Sequence, residues 1–399
     1  MRSFKTAVLA LLVTLTWVPT ALAGQSGFSR WKASQGGFSS WQRSGVALAA
    51  DGSLQVDPQT AVLGTDPYAP GGYNGGNFYN GGSFRVGEAT SPVMTTSFGF
   101  REAIASWEAE TPTGSWVETQ IRVQISGVWT KWYNLGVWAA DYSTVRRHSA
   151  GSQSDTNAYV GIDTLVVNSK KAAATAFQVK VRLFSANGIA LSRVRASSVT
   201  VSTSPERSPV LSVGNPAHWN QVLAVPECSQ MVYPDGGQVW CSPTSTSMVL
   251  RYWAGDTGAC ETHVRAAVGG VYDWIFGGHG NWPFNTAYAA SKGLQSHVTR
   301  FTSMAQIEPW ISAGVPAIIS IAWGSGELTG APIPSSSGHL MVVVGFDASG
   351  NPVVNDPAAS TDAAVQRTYL RSEFETLWLR ASAGTTYLIY PASWPVPAL

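Results

Sequence analysis

Charged side chains are scarce in this chain of 399 residues. They make up 12% of the sequence, about half of the ~25% found in ordinary soluble domains. The net charge at pH 7 is +1, which gives no electrostatic basis for binding nucleic acid or an anionic membrane surface. The abundant glycine (40) and tryptophan (17) favour a β-rich, loop-rich extracellular protein.

Several motifs that would define other classes of protein are also absent. The sequence has no G-x-S-x-G elbow, which argues against a serine hydrolase of that type. It has no glycine-rich phosphate loop before a helix, and neither a C-x-x-C nor an H-E-x-x-H pair. We therefore expect neither a metal nor a cofactor.

Long hydrophobic runs are missing except near the N-terminus. Arg2 and Lys5 precede an apolar run at residues 7–16, and Ala-Leu-Ala at 21–23 fits a cleavage site. The run is short for a membrane span, which needs about 20 residues. The pattern predicts a signal peptide at residues 1–23 and a mature chain that begins at Gly24. The protein is then secreted, or held in the periplasm or at the cell surface, without membrane contact.

The next segment, residues 24–205, has the pattern of a β-rich accessory domain. Apolar and polar side chains alternate at 121–125 and at 177–183, which is typical of strands with one buried face. We expect an all-β domain of the sandwich or jelly-roll type. Some of its tryptophans form either a sugar-binding platform or part of the core: Trp116, Trp129, Trp132 and Trp138.

Residues 206–224 are read as a linker, and residues 225–399 mix helix and strand. Residues 242–254 form a predicted helix, with Pro243 in its first turn and Gly255 just past its end. Residues 339–346 form a buried strand, and residues 352–355 form the strand that returns beside it. We expect the two halves to fold separately.

Cys241 lies at the start of the predicted helix. A thiol is nucleophilic only as the thiolate, and a helix N-terminus favours that anion. The same position lets the Cys241 N–H donate to an oxyanion. A buried structural cysteine is the alternative for a cysteine considered alone.

His339 opens the buried strand, and Asp356 lies just past the returning strand. The hairpin brings Asp356 back toward His339, where its carboxylate is expected to accept the Nδ1–H of the imidazole. Cys241, His339 and Asp356 are thus the expected nucleophile, base and orienting group. Alone, His339 could be a structural residue and Asp356 a turn residue before a proline.

Three blocks carry a family resemblance. Residues 225–230 with 240–250, residues 338–347, and residues 354–358 resemble the Cys, His and Asp blocks of the bacteriocin-leader-peptidase-like family. That family is a bacterial branch of the papain-like cysteine peptidases. The resemblance spans residues 225–392 and implies a papain-like α+β cysteine peptidase domain. Ser242 stands where many papain-like enzymes have glycine, and the membrane and ATPase domains of transporter-linked members have no counterpart.

The resemblance also implies a glutamine that stabilises the oxyanion. Gln230 is the match, and Gln238 is its rival because it is closer to the nucleophile. Substrate contacts are expected from Trp240, Asn281 and Trp282, of which the last two belong to a segment that resembles secreted family members. A structural loop is the alternative for that segment.

The chain has three cysteines. An odd number in a secreted protein indicates one free thiol and one disulfide. Because Cys241 is assigned as the nucleophile, we expect a disulfide between Cys228 and Cys260.

The function expected from these observations is that of a secreted, monomeric bacterial cysteine peptidase that hydrolyses peptide or amide bonds in a peptide or protein substrate. A cell-surface glycan is a further candidate partner of the N-terminal domain. Two alternatives stay open: a peptidoglycan-directed Cys-His amidase or endopeptidase, and a non-catalytic surface-binding protein with an inactive peptidase domain.

Overall fold

The computed structural model describes residues 24–151 and 153–399. The predicted signal peptide lies outside these residues. The chain has a two-domain architecture, with a largely β N-terminal part followed by a part that mixes strands and helices. No helix among the described residues is long and apolar enough to cross a membrane.

The N-terminal part consists of antiparallel strands, and the two alternating segments of the sequence lie within the long strands β9 and β15. The strands are β1 (Ser26–Lys32), β2 (Gln42–Ser44), β3 (Val46–Leu48), β4 (Leu54–Val56), β5 (Val62–Thr65), β6 (Ser83–Thr90), β7 (Met94–Phe100), β8 (Glu102–Glu110), β9 (Ser115–Ile125), β10 (Val128–Trp129), β11 (Tyr133–Trp138), β12 (Gln153–Ser154), β13 (Ala158–Gly161), β14 (Thr164–Val167), β15 (Ala174–Ser185) and β16 (Arg193–Ser202).

These strands form two sheets. One has the order β12-β13-β14-β8-β16-β4-β3, with β1 also paired to β16. The other has the order β10-β9-β15-β6-β2, and β11, β5 and β7 add to β9, β6 and β15. Side chains from both sheets meet in one hydrophobic cluster, so the inward positions of the alternating strands are apolar.

The tryptophans of this part have two different environments. Trp116 and Trp138 are fully buried, so they belong to the core. Trp129 and Trp132 are half-buried, and the Arg122 guanidinium lies 4.8 and 4.7 Å from their ring centroids. A cation thus already lies against both half-exposed rings. Glycan binding by this part stays a prediction.

The C-terminal part has, among its described residues, five α-helices and one antiparallel sheet whose strand order differs from the order along the chain. Its elements are β17 (Gln221–Val222), α1 (Cys241–Ala254), α2 (Cys260–Val271), α3 (Trp282–Ser291), β18 (Gln295–Arg300), α4 (Glu308–Ser312), β19 (Ala317–Trp323), β20 (Ser336–Phe346), β21 (Pro352–Asn355), β22 (Gln366–Thr368), α5 (Arg371–Ser382) and β23 (Thr385–Tyr390).

This sheet has the order β18-β23-β19-β20-β21-β22, and β17 pairs with β20. One hydrophobic cluster joins the sheet to α4 and α5, and a second joins it to α1 and α2. The central strands β19 and β20 are therefore covered on both faces, which explains why the sequence of β20 is almost continuously apolar. Residues 221–222, read from sequence as linker, form the short strand β17.

Helix α1 starts one residue earlier than the sequence indicated. Pro243 lies in its first turn, where a missing N–H costs no intrahelical hydrogen bond. Gly255 ends the helix in a left-handed conformation (φ 63°), and its N–H bonds to the carbonyls of Arg251 and Tyr252. A disulfide joins Cys228 to Cys260 at the start of α2. In the chain-entropy model, closing a loop of this length contributes on the order of 3–4 kcal/mol.

The two parts share an extensive interface. Phe284 of α3 enters the hydrophobic cluster of the N-terminal sheets, 5.4 Å from the Trp138 ring. Strand β18 is an edge strand of its sheet, and its backbone N–H groups at Ser296 and Val298 donate to Glu108 and Ser106 of β8 (2.9 and 3.1 Å). The N-terminal part thereby satisfies donors that an exposed sheet edge would leave open.

This interface changes what we expect of a separated N-terminal fragment. Cutting at 205 removes the C-terminal part that covers Ile104 on the outer face of β8, and it removes Phe284, which contacts Trp107 on the inner face; both β8 residues are buried in the whole chain. Residues 24–205 should therefore aggregate or melt at a lower temperature than residues 24–399, because apolar surface is exposed to water. Circular dichroism melting with size-exclusion chromatography measures this. A monomeric fragment that melts at the temperature of the whole chain would contradict the expectation.

Candidate active site

Cys241, His339 and Asp356 lie close together, because α1 packs beside β20, which carries His339, and the β20–β21 hairpin brings Asp356 back toward it. Cys241 is the first residue of α1, which packs against β20, and the Ser245 hydroxyl donates to the Leu340 carbonyl (3.0 Å). This bond fixes the first turn of α1 beside His339. Cys241 is a free cysteine, and the residue is partly exposed.

Asp356 reaches His339 because of the pairing between β20 and β21. Asn355 lies opposite Val342, so the chain leaving β21 runs alongside β20 toward His339. The His339 Nε2 lies 2.8 Å from the Asp356 Oδ1. The prediction that Nδ1 faces Asp356 is wrong, because Nε2 is the nitrogen that faces it. The Cys241 thiol is the second side-chain partner of the His339 imidazole.

The electrostatics of the three groups reinforce one another. Burial alone would raise the pKa of the Cys241 thiol, but the His339 imidazolium and the N–H groups of Leu340 and Ser242 outweigh it and lower that pKa. Burial likewise opposes charge on His339, yet Asp356 and the thiolate raise its pKa to about 10. The pKa of Asp356 is lowered by the imidazolium despite burial. The site therefore favours a thiolate–imidazolium pair.

Two groups around the pair were missed by the sequence analysis. The Tyr369 hydroxyl, just past β22, donates to the Asp356 Oδ2 (2.7 Å), and the Ala358 N–H donates to its Oδ1 (2.9 Å). Trp323 at the end of β19 packs edge-on against the His339 ring, with centroids 5.6 Å apart. Neither residue lies in a motif with the Cys, His or Asp, so no sequence signal identified it.

Gln230 lies between the turn after Asp356 and the loop before Cys241. Its backbone N–H donates to the Pro357 carbonyl, and its side-chain Nε2 donates to the Gly237 carbonyl, both at 2.8 Å. One of its two amide protons is thus used by the protein, and the other has no protein acceptor among residues 24–151 and 153–399. Gln238 is exposed and makes no comparable contact among the described residues. The buried position favours Gln230 over its rival.

The three predicted substrate contacts differ in exposure. Trp240 is buried between Tyr233 and His279, with ring centroids 5.7 and 6.2 Å away. Trp282 is half-buried and joins the hydrophobic cluster that includes Cys241. Asn281 is fully buried: its side chain accepts from the Phe284 N–H as the N-cap of α3 and donates to Asp273. The structure thus gives Asn281 a capping position with no exposed atom for a substrate, which corresponds to the structural alternative.

A thiol at a helix N-terminus, an imidazole and a carboxylate in this order form the arrangement that cysteine hydrolases use for acyl transfer. No group of three or more histidine, cysteine, aspartate or glutamate side chains within residues 24–151 and 153–399 is arranged to hold a metal ion.

Residues 222–386 match the family described as Peptidase_C39 like, and residues 27–204 match the Peptidase C39 N-terminal domain. The chain belongs to the C39-like peptidase family, which is a family of cysteine peptidases. The two matched segments together span both parts of the fold.

Two solved structures are similar to parts of the chain. A protein from Bacillus anthracis named as a C39-like peptidase is 18% identical, with 44% of this chain and 98% of that one covered and a TM-score of 0.31. A family two carbohydrate esterase from Cellvibrio japonicus is 13% identical, with 57% and 50% covered and a TM-score of 0.19. Both scores are too low to carry an argument. No curated protein matches the chain.

The pKa shifts predict the pH dependence of thiol alkylation. Because the pKa of Cys241 is lowered, the iodoacetamide rate should rise at a pH below the free-cysteine value of ~8.5. Because the pKa of His339 is raised to about 10, the rate should then stay level until the imidazolium deprotonates. Stopped-flow alkylation from pH 4 to 11 measures the profile. The depression should shrink in His339→Ala, and a single rise centred at or above ~8.5 in the native protein would contradict the ion pair.

Tyr369→Phe tests the donor to Asp356. Losing a hydrogen bond to a buried carboxylate costs about 1.5 kcal/mol, or about tenfold in rate. The alkylation rate at neutral pH should fall by up to that factor, since Asp356 then loses the donor that fixes the orientation of its carboxylate toward the imidazole. Tyr252→Phe, which loses one hydrogen bond to the Gly314 carbonyl far from Cys241, is the matched control and should react like the native protein. Equal rates in both variants would mean that Tyr369 has no influence on the pair.

Proposed function

We propose that this protein is a secreted cysteine peptidase that hydrolyses peptide or amide bonds through a Cys241–His339–Asp356 triad in a papain-like domain. The single observation that supports this most strongly is the hydrogen-bonded His339–Asp356 pair beside the partly exposed Cys241. Membership of the C39-like peptidase family agrees with it.

The proposed reaction is covalent acyl transfer. The Cys241 thiolate attacks the carbonyl carbon, and the oxyanion is held by the Cys241 N–H and the free amide proton of Gln230. His339 gives its proton to the leaving amine, and the amine departs from the acyl-enzyme. His339 then takes a proton from water, which attacks the thioester and releases the acid. Asp356 keeps the ring in place during both steps, and Tyr369 and Trp323 hold Asp356 and His339.

The proposal extends to location. The disulfide between Cys228 and Cys260 is compatible with an oxidising environment outside the cytoplasm. It also ties the segment that leads into Gln230 to the start of α2. In an oxidising compartment the disulfide stays intact, and the segment that carries Gln230 therefore stays in place.

Substitution of the triad tests the mechanism. Cys241→Ala should abolish hydrolysis of dye-labelled casein while the melting temperature stays near that of the native protein. His339→Ala should lose activity to the same extent, and the double variant should be no worse than either, because the members of a catalytic unit are not additive. Asp356→Asn keeps a polar partner for the ring and should lose less.

The outcomes distinguish the proposal from its alternatives. Full casein hydrolysis by Cys241→Ala would end the peptidase proposal. Release of fragments from purified peptidoglycan, with casein left intact, would identify a cell-wall amidase or endopeptidase instead. A native protein that cleaves neither substrate and whose thiol is not activated would be a binding protein with an inactive domain.

A further inference from the structure

The segment that connects α2 to α3 is held mainly by the N-terminal part. Hydrogen bonds join this segment and the flanking helix ends to the loop after β11 and the turn before β14. Arg147 Nη1 donates to the Gly269 carbonyl in α2 (2.8 Å), the Tyr142 hydroxyl donates to the Tyr272 carbonyl, and the Ser149 N–H donates to both carboxylate oxygens of Asp273 (3.0 Å each). The Trp282 N–H at the start of α3 donates to Asp163 Oδ2 (2.6 Å). A loop of the peptidase part therefore takes its shape from the other part of the chain.

Asp273 is the centre of this segment. Its fully buried carboxylate accepts from the N–H groups of Ile275 and Phe276 and from the Asn281 side chain, in addition to Ser149. Asn281 in turn caps α3. The hydrogen bonds pass without interruption from Ser149 of the N-terminal part to the first turn of α3.

Asp163 provides the second anchor, from a turn with an unusual backbone. Ile162 adopts a positive φ of 62°, a conformation that β-branched residues rarely take and that costs free energy. The turn directs Asp163 to the N-terminus of α3, where the N–H of Trp282 and the Thr164 hydroxyl donate to its carboxylate. Burial nevertheless raises the pKa of Asp163 to about 7. A turn that only joined two strands would need neither the strained Ile162 nor a buried carboxylate that accepts a hydrogen bond from the C-terminal part.

The opposite side of the segment borders the nucleophile. The His279 ring contacts the Trp240 ring, which directly precedes Cys241. Trp282 and Cys241 are both partly buried residues that pack against the same hydrophobic cluster, and Trp282 keeps part of its surface exposed. Ser242 is hydrogen-bonded to Tyr387. Burial raises the pKa of Tyr387, and the charge of Asp163 raises it further. The charge of Cys241 acts on the pKa of Tyr387 in the same direction, so Asp163 and Cys241 share this neighbour.

We propose that the N-terminal part is a structural wall of the substrate cleft and that Asp163 is a positioning residue, which holds Trp282 where a peptide substrate contacts it beside Cys241. The inference rests on the proposed peptidase function and adds to it a role for the N-terminal part. Asp163 acts through the backbone of Trp282 and does not touch the reacting atoms. Its loss should weaken substrate binding and leave the reactivity of the thiolate unchanged.

Two reagents separate these effects in the chain of residues 24–399. Iodoacetamide reports the thiolate alone, whereas a dipeptidyl acyloxymethyl ketone must also occupy the cleft. In Asp163→Ala the peptidyl reagent should react about tenfold more slowly, as expected for the loss of one charge-assisted hydrogen bond that positions a binding group. The iodoacetamide rate should be unchanged. Asp163→Asn keeps an acceptor for the Trp282 N–H and should restore the peptidyl rate.

Asp155→Ala is the matched control, because Asp155 accepts hydrogen bonds within the N-terminal part from Tyr133, Asn157 and Ala158. It should react with both reagents like the native protein. A melting curve for each variant establishes that it is folded. Trp282→Ala provides a second test that leaves the Asp163 turn intact, and it should also slow the peptidyl reagent selectively.

Equal peptidyl rates in Asp163→Ala and Asp155→Ala would overturn the inference. So would a parallel loss with both reagents, which indicates a general structural defect. If Asp163→Ala does not fold, an unchanged peptidyl rate in Trp282→Ala overturns it. A folded native protein that reacts with neither reagent would instead overturn the proposed peptidase function, on which the inference rests.

Discussion

The packing of α3 between the two parts of the chain is the constraint on which the rest of the structure depends. Eight of the ten residues in this helix are buried, and they include the polar side chains of Asn285 and Thr286. Phe284 enters the N-terminal core, and Asn285 accepts a hydrogen bond from Thr246 of α1. A helix that is enclosed on all sides cannot move without disturbing every element around it. It therefore fixes α1, and with it Cys241, relative to the N-terminal sheets.

The candidate active site depends on a balance of large opposing effects. Burial by itself would favour a neutral thiol, a neutral imidazole and a neutral carboxyl group. Each charge is retained because the next group in the row has the opposite sign: the pKa of Cys241 is lowered, that of His339 is raised and that of Asp356 is lowered. Removal of any member leaves another charge buried without its partner, which is costly. The three residues are thus useful only together, as expected of a catalytic unit.

Features that depend on local chain geometry could be predicted from the sequence. The alternation in β9 and β15, the start and end of α1, and the β20–β21 hairpin that returns Asp356 toward His339 all follow from side-chain periodicity, glycine and proline. The same patterns brought Cys241, His339 and Asp356 to attention, because each was predicted at or beside the end of an element where a side chain can face a cleft. Gln230 was indicated only by the family resemblance, and His339 proved to be the fourth residue of β20. Three cysteines of which one was needed as a nucleophile left one pairing, Cys228 with Cys260.

The remaining features were decided by tertiary structure, because they join residues that are far apart in the sequence. Tyr369 contacts Asp356, and Asp163 contacts Trp282 across 119 positions; neither pair has a pattern that a single sequence displays. The sequence likewise does not show that Nε2 is the ring nitrogen of His339 that faces Asp356. Trp116 and Trp138 are in the core and Asn281 is a cap because of the sheets and the helix packed around them. Periodicity identifies which face of a strand or helix is buried, whereas the partner that covers this face is chosen by the packing of the whole chain.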